Sequence, residues 1–446
     1  MNVNRILMVG FVLYCMISCP LAFGETPTAK PAATKPTFRE EKFANGNVKS
    51  HYTIDTNGIK SGEYNLFTVD GKLLETGTYK NGQLDGPRQA FYPNGNLKIS
   101  DQYHLGKLDG NVTEYDDSKN KFREAQYANG VLVNESMFVE GIIVYPRTPV
   151  FITSELKRIK KLKIETQKST DAIPAHEGGN ESQEDRENAV RRLMEYRFLS
   201  FVPHNDIVLD PLYNAHDEAA AAILAKIGKL SHTPENPGWT EERYKFAFKG
   251  TSSSNIYMSS IPDLQNFNSV NAYMDDSDRG NIDRLGHRRW CLNPVLGKVG
   301  FATYKGYSAM WSMDHSRKEI PDFDFIACPA PGLYPMSHFG DRHAWSVTVN
   351  DSKYAKPIKG EIKVSITPVK IQLNKNKILP IGKPLPLDYE NVDIGGYGIS
   401  NCIIFRPANF KMTPNQPLLV EISGLKPKDS DIKPTPLRYV VDFYKL

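Results

Sequence analysis

The chain has 446 residues and a formal net charge of +4, and hydrophobic residues make up 40% and charged residues 24% of its composition. This length predicts two to four domains, and this composition argues against global disorder. The small net charge gives no electrostatic case for a nucleic-acid partner, which would need basic residues concentrated on one face.

The first 24 residues predict a secretory signal peptide. A positively charged start precedes an apolar run over residues 6–23, and Ala22 and Gly24 are the small residues that a signal peptidase requires. Cleavage near Gly24 would leave a secreted or cell-envelope protein without a transmembrane span. Two alternatives stay open, an uncleaved membrane anchor and a lipid anchor on Cys19.

Two segments follow, a flexible tether over residues 25–47 and a repeat array over residues 48–140. The tether mixes Pro, Ala, Thr and Lys without apolar periodicity. In the array, Tyr79, Tyr103 and Tyr127 stand 24 residues apart, each followed by a glycine three residues later. Asn-Gly and Asp-Gly pairs between short aromatic runs predict successive β-hairpins, which must stack to bury apolar surface.

The array resembles the MORN-like, antitoxin-type bacterial repeats, whose units of about this length carry a Tyr, a Gly and an Asp-Gly. That resemblance implies a spacer or a binding surface and no chemistry of its own. Residues 141–182 are then predicted to be a linker. Its basic run, residues 157–164, fits a helix or a strand and is interpreted as solvated surface, with binding to anionic lipid or cell-wall polymer as the alternative.

The next domain spans residues 183–350 and is predicted to open with two helices. Apolar residues at helical spacing indicate the first over 183–200, and Asp210 with Pro211 marks the start of the second. Residues 219–222 are all alanine, which indicates close packing of the second helix against another element.

Ordered motifs in this domain resemble the CAP superfamily of cysteine-rich secretory proteins, antigen 5 and plant pathogenesis-related proteins, especially its bacterial secreted branch. They are Leu209-Asp210-Pro211-Leu212, Leu230-Ser231-His232-Thr233, Ser253-Ser254-Asn255-Ile256, Ala272-Tyr273-Met274-Asp275-Asp276 and Gly286-His287-Arg288-Arg289-Trp290. The resemblance implies an α/β/α sandwich. It also implies a cleft that commonly holds two histidines and two acidic residues and can bind a divalent metal.

Transferred to this chain, the resemblance implies a ligand-binding cleft. Its residues are His232, Ser254, Asn255, Asp276, His287 and Arg288. His232 and His287 match the two histidines of the family, and Asp276 falls at one acidic position. Ser254 stands where animal and plant members have a glutamate, so the second acidic group is missing.

Three hypotheses describe this histidine pair. We expect a non-catalytic cleft for an extracellular lipid, glycan or protein. In the second hypothesis, His232, His287 and Asp276 bind zinc, magnesium or copper, for which two imidazoles alone would be an incomplete site. In the third, a metal-assisted hydrolase acts on peptide or cell-wall polymer, with a histidine working through water. A further alternative is an adhesive scaffold that acts through the repeats.

Other residues of the domain have structural and functional interpretations. Arg288 and Arg289 would either clamp an anionic ligand, or one of them would form a structural ion pair with Asp275, Asp276 or Asp278. Cys291, Cys328 and Cys402 would remain after signal cleavage, and an odd number allows at most one internal disulfide. We expect a Cys291–Cys328 bond, because both lie in this domain, with three buried free cysteines as the alternative.

Residues 351–446 predict a C-terminal β-sandwich of immunoglobulin-like kind. Strand patterns occur at 361–366, 402–405, 419–422 and 439–443, separated by prolines and by Gly-Lys or Asn-Lys turns. The predicted fold class is therefore α+β multidomain, with a β-hairpin repeat array, a CAP-type α/β/α sandwich and a β-sandwich. The sequence contains no Gly-x-Ser-x-Gly elbow, His-Glu-x-x-His pattern or phosphate-binding Gly-Lys-Ser loop.

Overall fold

A computed structural model describes residues 37–168, 173, 182–261 and 264–446. The predicted signal peptide, with Cys19, and residues 25–36 of the predicted tether lie outside the described residues. The protein is a mixed α/β chain, mostly β, with 38% strand and 20% helix. It contains several antiparallel sheets. No helix among the described residues is long and apolar enough to cross a membrane.

The described residues divide into two compact units. The N-terminal unit holds residues 37–151 together with 371–379, and the C-terminal unit holds residues 152–370 and 380–446.

The N-terminal unit contains an antiparallel sheet whose main strands are adjacent in chain order. The strands are β1 Thr37–Lys42, β2 Val48–Ile54, β3 Lys60–Phe67, β4 Leu73–Lys80, β5 Gln83–Leu84, β6 Gly86–Phe91, β7 Leu97–His104, β8 Lys107–Leu108, β9 Gly110–Tyr115, β10 Lys121–Ala128, β11 Val131–Val139 and β12 Ile142–Tyr145. Asn81 and Gly82 both have positive φ, 50° and 78°, as a tight hairpin turn requires.

The prediction of a tether up to residue 47 was wrong for residues 37–42. These residues form β1, which pairs antiparallel with β2. The segment has little apolar surface, but pairing with β2 satisfies its backbone groups, and the hydroxyl of Tyr52 donates to Glu41 at 3.2 Å. Whether this segment forms a strand is decided by pairing with its neighbour β2 rather than by its own composition.

Aromatic and charged side chains cover one face of this sheet. The ring of Tyr64, which is buried, lies against Gly77 on the adjacent strand, and its hydroxyl donates to Glu75 at 2.5 Å. Arg88 bridges Glu75 and Asp101, with its closest contact to Asp101 at 2.6 Å. A ring over a glycine and alternating charges stabilise neighbouring strands of this sheet.

Helices supply much of the first half of the C-terminal unit. They are α1 Pro149–Lys160, whose first residues belong to the N-terminal unit, α2 Gln183–Leu199, α3 Pro211–Ile227, α4 Glu241–Ser253, α5 Asn266–Asp275 and α6 Gly286–Cys291. Both predicted helices are confirmed by α2 and α3. Asp210 caps α3 by accepting from the Leu212 N–H at 2.9 Å, and Gly228 ends it in a left-handed conformation. Part of the predicted linker is helical, because it contains α1.

The central sheet has the strand order β13-β15-β16-β14. These strands are β13 Val208–Leu209, β14 Ser254–Met258, β15 Lys298–Tyr304 and β16 Tyr307–Trp311. On one face, Ile256 and Ala309 pack with alanines of α3 and α4. On the other, the Tyr273 hydroxyl of α5 donates to the Asn255 carbonyl oxygen at 3.1 Å. Helices therefore pack on both faces, and the alanine run of α3 packs closely, as the sequence indicated.

The remaining strands form two further sheets. The strands are β17 Phe325–Cys328, β18 Gly332–Pro335, β19 Trp345–Val349, β20 Lys363–Gln372, β21 Lys377–Pro380, β22 Leu387–Asp393, β23 Cys402–Pro407, β24 Leu418–Ser423 and β25 Leu437–Tyr444. One sheet has the order β17-β19-β23-β22, and the other includes β18-β25-β24-β20. The Trp345 ring of the first sheet lies 5.9 Å from the Phe443 ring of the second, so the two sheets face each other.

The expected domain boundary after residue 350 does not match these sheets. Strand β19 pairs with β23, and β18 pairs with β25, so strands before and after residue 350 share the same sheets. The sequence pattern identified β19 correctly as a strand. Its assignment to the preceding domain was wrong, because strand partners are set by long-range pairing that sequence order does not reveal.

The predicted Cys291–Cys328 disulfide is wrong. Cys291, Cys328 and Cys402 are all buried and free. Burial raises the pKa of each of these thiols above its ordinary value. The three cysteines therefore act as small apolar core residues, which was the alternative interpretation.

Replacing Gly250 should destabilise the C-terminal unit. A Cβ at this position would lie 2.1 Å from the backbone oxygen of His216 and 2.9 Å from the Ala220 Cβ. We expect Gly250→Ala to lower the free energy of unfolding by about 3 kcal/mol, as overpacking does. Denaturant unfolding measures this. The exposed Lys245→Ala on the same helix is the control, with a change within about 0.5 kcal/mol, and a Gly250→Ala protein of unchanged stability would contradict the observed α3–α4 contact.

Candidate functional site

The carboxylate of Asp276 holds His287 in a defined position. Asp276 ends α5 in a left-handed conformation, with φ 47°. Its Oδ1 accepts a hydrogen bond from His287 Nδ1 at 2.8 Å. Its Oδ2 accepts from the backbone N–H groups of His287 at 2.9 Å and Arg288 at 3.3 Å. One side chain thus fixes both the ring and the backbone of His287.

The buried side chain of Asn255 supports His287 from the central sheet. Its Nδ2 donates to the His287 carbonyl oxygen at 3.0 Å, and its Oδ1 accepts from the Ser312 hydroxyl at 3.2 Å. The Tyr273 ring lies 5.5 Å from the His287 ring. The predicted residues Asn255, Asp276 and His287 are therefore brought together, although Asn255 acts by positioning His287.

His232 lies near His287 on a different element. Its Nδ1 donates to the carbonyl oxygen of Thr251 at 2.8 Å, and the Thr251 hydroxyl donates back to the His232 carbonyl oxygen at 3.2 Å. Partial burial of the ring lowers the pKa of His232 and outweighs the hydrogen bond to Thr251, which raises it, and the neighbouring His287 and Arg284 lower it further. At neutral pH the His232 ring is therefore neutral, with its proton on Nδ1.

Both rings of the histidine pair keep the same nitrogen free. Nδ1 of each ring donates to a protein oxygen, and Nε2 of neither ring makes a hydrogen bond to any described residue. The Nε2 of the neutral His232 ring therefore presents a lone pair. A histidine whose Nδ1 is held by a carbonyl or carboxylate is typical of sites where Nε2 binds a ligand or metal.

Ser254 does not belong to the cleft, so its assignment there was wrong. Its hydroxyl donates to Asp217 Oδ1 at 2.6 Å on the α3 side of the sheet. There the backbone N–H of Trp311 donates to Asp217 Oδ2 at 2.7 Å. Adjacent strand residues point to opposite faces, so Ser254 and Asn255 cannot both face the cleft. Burial raises the pKa of Asp217 to about 8.

Sequence reasoning missed Asp217. It lies within the alanine-rich helix α3 and is fully buried. An acidic residue inside an otherwise apolar helical segment was the available signal, because a buried carboxyl group needs hydrogen-bond donors.

Arg288 is a structural residue, which excludes it as a clamp for an anionic ligand. It is fully buried, and its guanidinium donates to the carbonyl oxygens of Met274 at 2.7 Å, Asp275 at 2.6 Å and Ala344 at 2.7 Å. These acceptors are backbone oxygens rather than the carboxylates that the sequence suggested. Arg289 does form an ion pair, but with the distant Asp393 rather than with Asp275, Asp276 or Asp278.

The predicted metal ligands provide only part of a metal site. His232 and His287 offer two Nε2 atoms, but both oxygens of Asp276 already accept hydrogen bonds. Within the described ranges, no group of three or more His, Cys, Asp and Glu side chains is arranged to hold a metal ion. In this structure Asp276 orients a histidine, and its role as a third metal ligand stays a prediction.

Comparison with known proteins adds no assignment. No family model matches the chain, and no curated protein matches it. The CAP and MORN-like resemblances therefore depend on the sequence motifs alone.

Removing the Ser254 hydroxyl should affect stability and leave the histidine pair unchanged. Ser254→Ala leaves a buried oxygen of Asp217 without its donor, which should cost about 1–3 kcal/mol of unfolding free energy. Chemical denaturation measures the loss, and the His232 and His287 imidazole NMR signals should keep their pH titration. The control is Ser252→Ala, whose hydroxyl bonds only the Lys249 carbonyl oxygen. Shifted histidine titration in Ser254→Ala would return Ser254 to the cleft.

Proposed function

We propose that the chain is a secreted or envelope-associated CAP-type protein whose histidine pair binds a hydroxyl-rich extracellular ligand, a glycan, without catalysis. The observation that supports this is the free Nε2 atom on each of His232 and His287, whose Nδ1 atoms are held by Thr251 and Asp276. A neutral imidazole with its proton on Nδ1 accepts a hydrogen bond at Nε2. Sugar hydroxyls are suitable donors for it.

Binding fits the surrounding chemistry better than hydrolysis does. A general base must reach the proton that it removes, and the carboxylate of Asp276 is engaged by three donors. Ser254 contributes no carboxylate and faces the opposite side of the sheet. The lowered pKa of His232 keeps this ring a hydrogen-bond acceptor at neutral pH.

Location and partners of the protein remain part of this proposal. The apolar run of residues 6–23 supports secretion, and the N-terminal sheet supports a role as a spacer or as a second binding surface. Extracellular lipid and protein are the other two ligand classes. An acyl chain has no donor for Nε2, which favours the glycan.

The test uses sedimentation of the full chain with purified peptidoglycan and, separately, with phospholipid vesicles. The double variant His232→Ala/His287→Ala should bind peptidoglycan at least about tenfold more weakly, which corresponds to about 1.4 kcal/mol. Binding should also fall as the pH is lowered through the pKa of His232, because protonation converts Nε2 from an acceptor into a donor. His104→Ala is the control, since its side chain is 60% exposed in the N-terminal unit.

Other results would assign the function differently. Binding to vesicles alone, lost in the double variant, would replace the glycan with a lipid ligand. Full peptidoglycan binding by the double variant would contradict the histidine cleft and support the adhesive scaffold, with the N-terminal repeats as the binding surface.

A metal-assisted hydrolase is the second candidate, because Nδ1 hydrogen bonds such as those of His232 and His287 are common in metal-ligating histidines. With two protein ligands we expect zinc added to the full chain to be lost on dialysis. Near-stoichiometric zinc by elemental analysis, abolished by His232→Ala and unaffected by His104→Ala, would establish a metal site and contradict this expectation.

A further inference from the structure

A cavity of about 670 Å³ lies beside α2 in the C-terminal unit. Lys160, Glu184, Asp185, Glu195 and Phe267 are among its lining residues, and neither histidine of the pair is. It is therefore separate from the site described above. Its volume is sufficient for a small organic molecule.

The carboxylate of Glu195 is the deepest charged group in the lining. Glu195 is only 3% exposed. Its Oε2 lies 2.7 Å from Arg192 Nη1 and 3.0 Å from His338 Nε2. Its Oε1 accepts no hydrogen bond from any described residue and is the oxygen that remains for the cavity.

The charge of Glu195 is maintained by its neighbours. Burial alone would raise the pKa of Glu195, but hydrogen bonds from His338 and Arg192 lower it below the ordinary value. Burial also lowers the pKa of His338, so this ring is neutral at neutral pH. The lining thus contains an ionised carboxylate with one oxygen that no described residue bonds, and a donor or a cation in the cavity would stabilise it.

Both arginines of the lining form hydrogen bonds and ion pairs with other protein side chains. Arg192 donates through Nε to Asn271 at 2.7 Å and through Nη2 to the Tyr196 hydroxyl at 3.2 Å, besides its contact with Glu195. Arg191 pairs with Glu187 at 2.6 Å. Neither guanidinium is available to an anionic ligand, and Arg192 acts as a positioning residue for Glu195.

The remaining charges of the lining are mainly acidic. Glu184 forms no ion pair with a described residue, and Asp185 uses Oδ2 to accept from Asn266 at 2.7 Å. Lys160 is the basic side chain of the lining that forms no ion pair within the described part of the chain. Arg192 offsets the charge of Glu195, so the carboxylates of Glu184 and Asp185 remain against the one ammonium of Lys160 and favour a cationic ligand.

We propose that this cavity is a second binding site, which takes a compact aliphatic amine whose ammonium group binds Glu195 Oε1. An ammonium offers three donors and a positive charge, and Glu195 Oε1 accepts no hydrogen bond from a described residue. Glu184 and Asp185 add attraction at the wall. Lys160 opposes the ligand, because its ammonium competes for the same carboxylates.

The test is calorimetric titration of the full chain with putrescine, with butyrate as the anionic control probe. We expect saturable putrescine binding at concentrations on the order of 1 mM or below and no binding of butyrate. Glu195→Gln should weaken putrescine binding about tenfold or more, because it removes the charge and keeps the shape. Glu242→Gln, an exposed position of α4 outside the lining, is the matched control and should leave binding unchanged.

Two further variants keep the test decisive if Glu195→Gln does not fold. Lys160→Met should tighten putrescine binding, and Glu184→Gln should weaken it, since each changes one charge of the lining. The double variant His232→Ala/His287→Ala should bind putrescine normally, which separates this site from the histidine cleft. Absence of saturable putrescine binding, equal binding by Glu195→Gln, or comparable binding of butyrate would overturn the proposal.

Discussion

The interaction on which the candidate site depends is the set of hydrogen bonds accepted by the carboxylate of Asp276. One side chain receives the ring nitrogen of His287 and two successive backbone N–H groups at the start of α6. Asp276 itself adopts a left-handed conformation at the end of α5. The hydrogen bonds of its side chain stabilise this less common backbone conformation. The carboxylate that the sequence suggested as a metal ligand therefore links the end of α5 to the start of α6. It also holds the His287 ring in position.

Buried guanidinium groups donate hydrogen bonds to backbone carbonyl oxygens at two places in the C-terminal unit. Arg197 donates to the carbonyl oxygens of Cys291 and Asn293, at 2.7 and 2.8 Å, and Arg288 to those of Met274 and Ala344. A guanidinium carries five donors in a fixed geometry, so it can satisfy the carbonyl groups that irregular segments leave unpaired. This explains why Arg288 and Arg289, which follow His287, stabilise loops through backbone carbonyl oxygens.

The C-terminal strands belong to the support of the histidine pair. Arg288 reaches β19 through the Ser346 hydroxyl at 3.1 Å, and Arg289 contacts Asp393 at the end of β22. The ring of Tyr397 lies against Gly286, so the loop after β22 covers the start of α6. A fragment that ended at residue 350 would lose the contacts with Asp393 and Tyr397 and the strand β23 that pairs with β19. The site is thus a property of the whole C-terminal unit.

The sequence by itself determined the local elements. Helical periodicity and the Asp210 cap identified α2 and α3, and Asn-Gly turns identified hairpins, because these features depend on residues close in the chain. It also singled out His232, Asn255, Asp276 and His287. Only the tertiary structure decided what these residues do. Strand alternation places the Ser254 and Asn255 side chains on opposite faces of the sheet. Asp276 accepts hydrogen bonds from the segment that contains His287. Long-range pairing joins β19 to β23 across the expected domain boundary. Side-chain direction and strand partners depend on distant residues, which spacing along a single sequence does not encode.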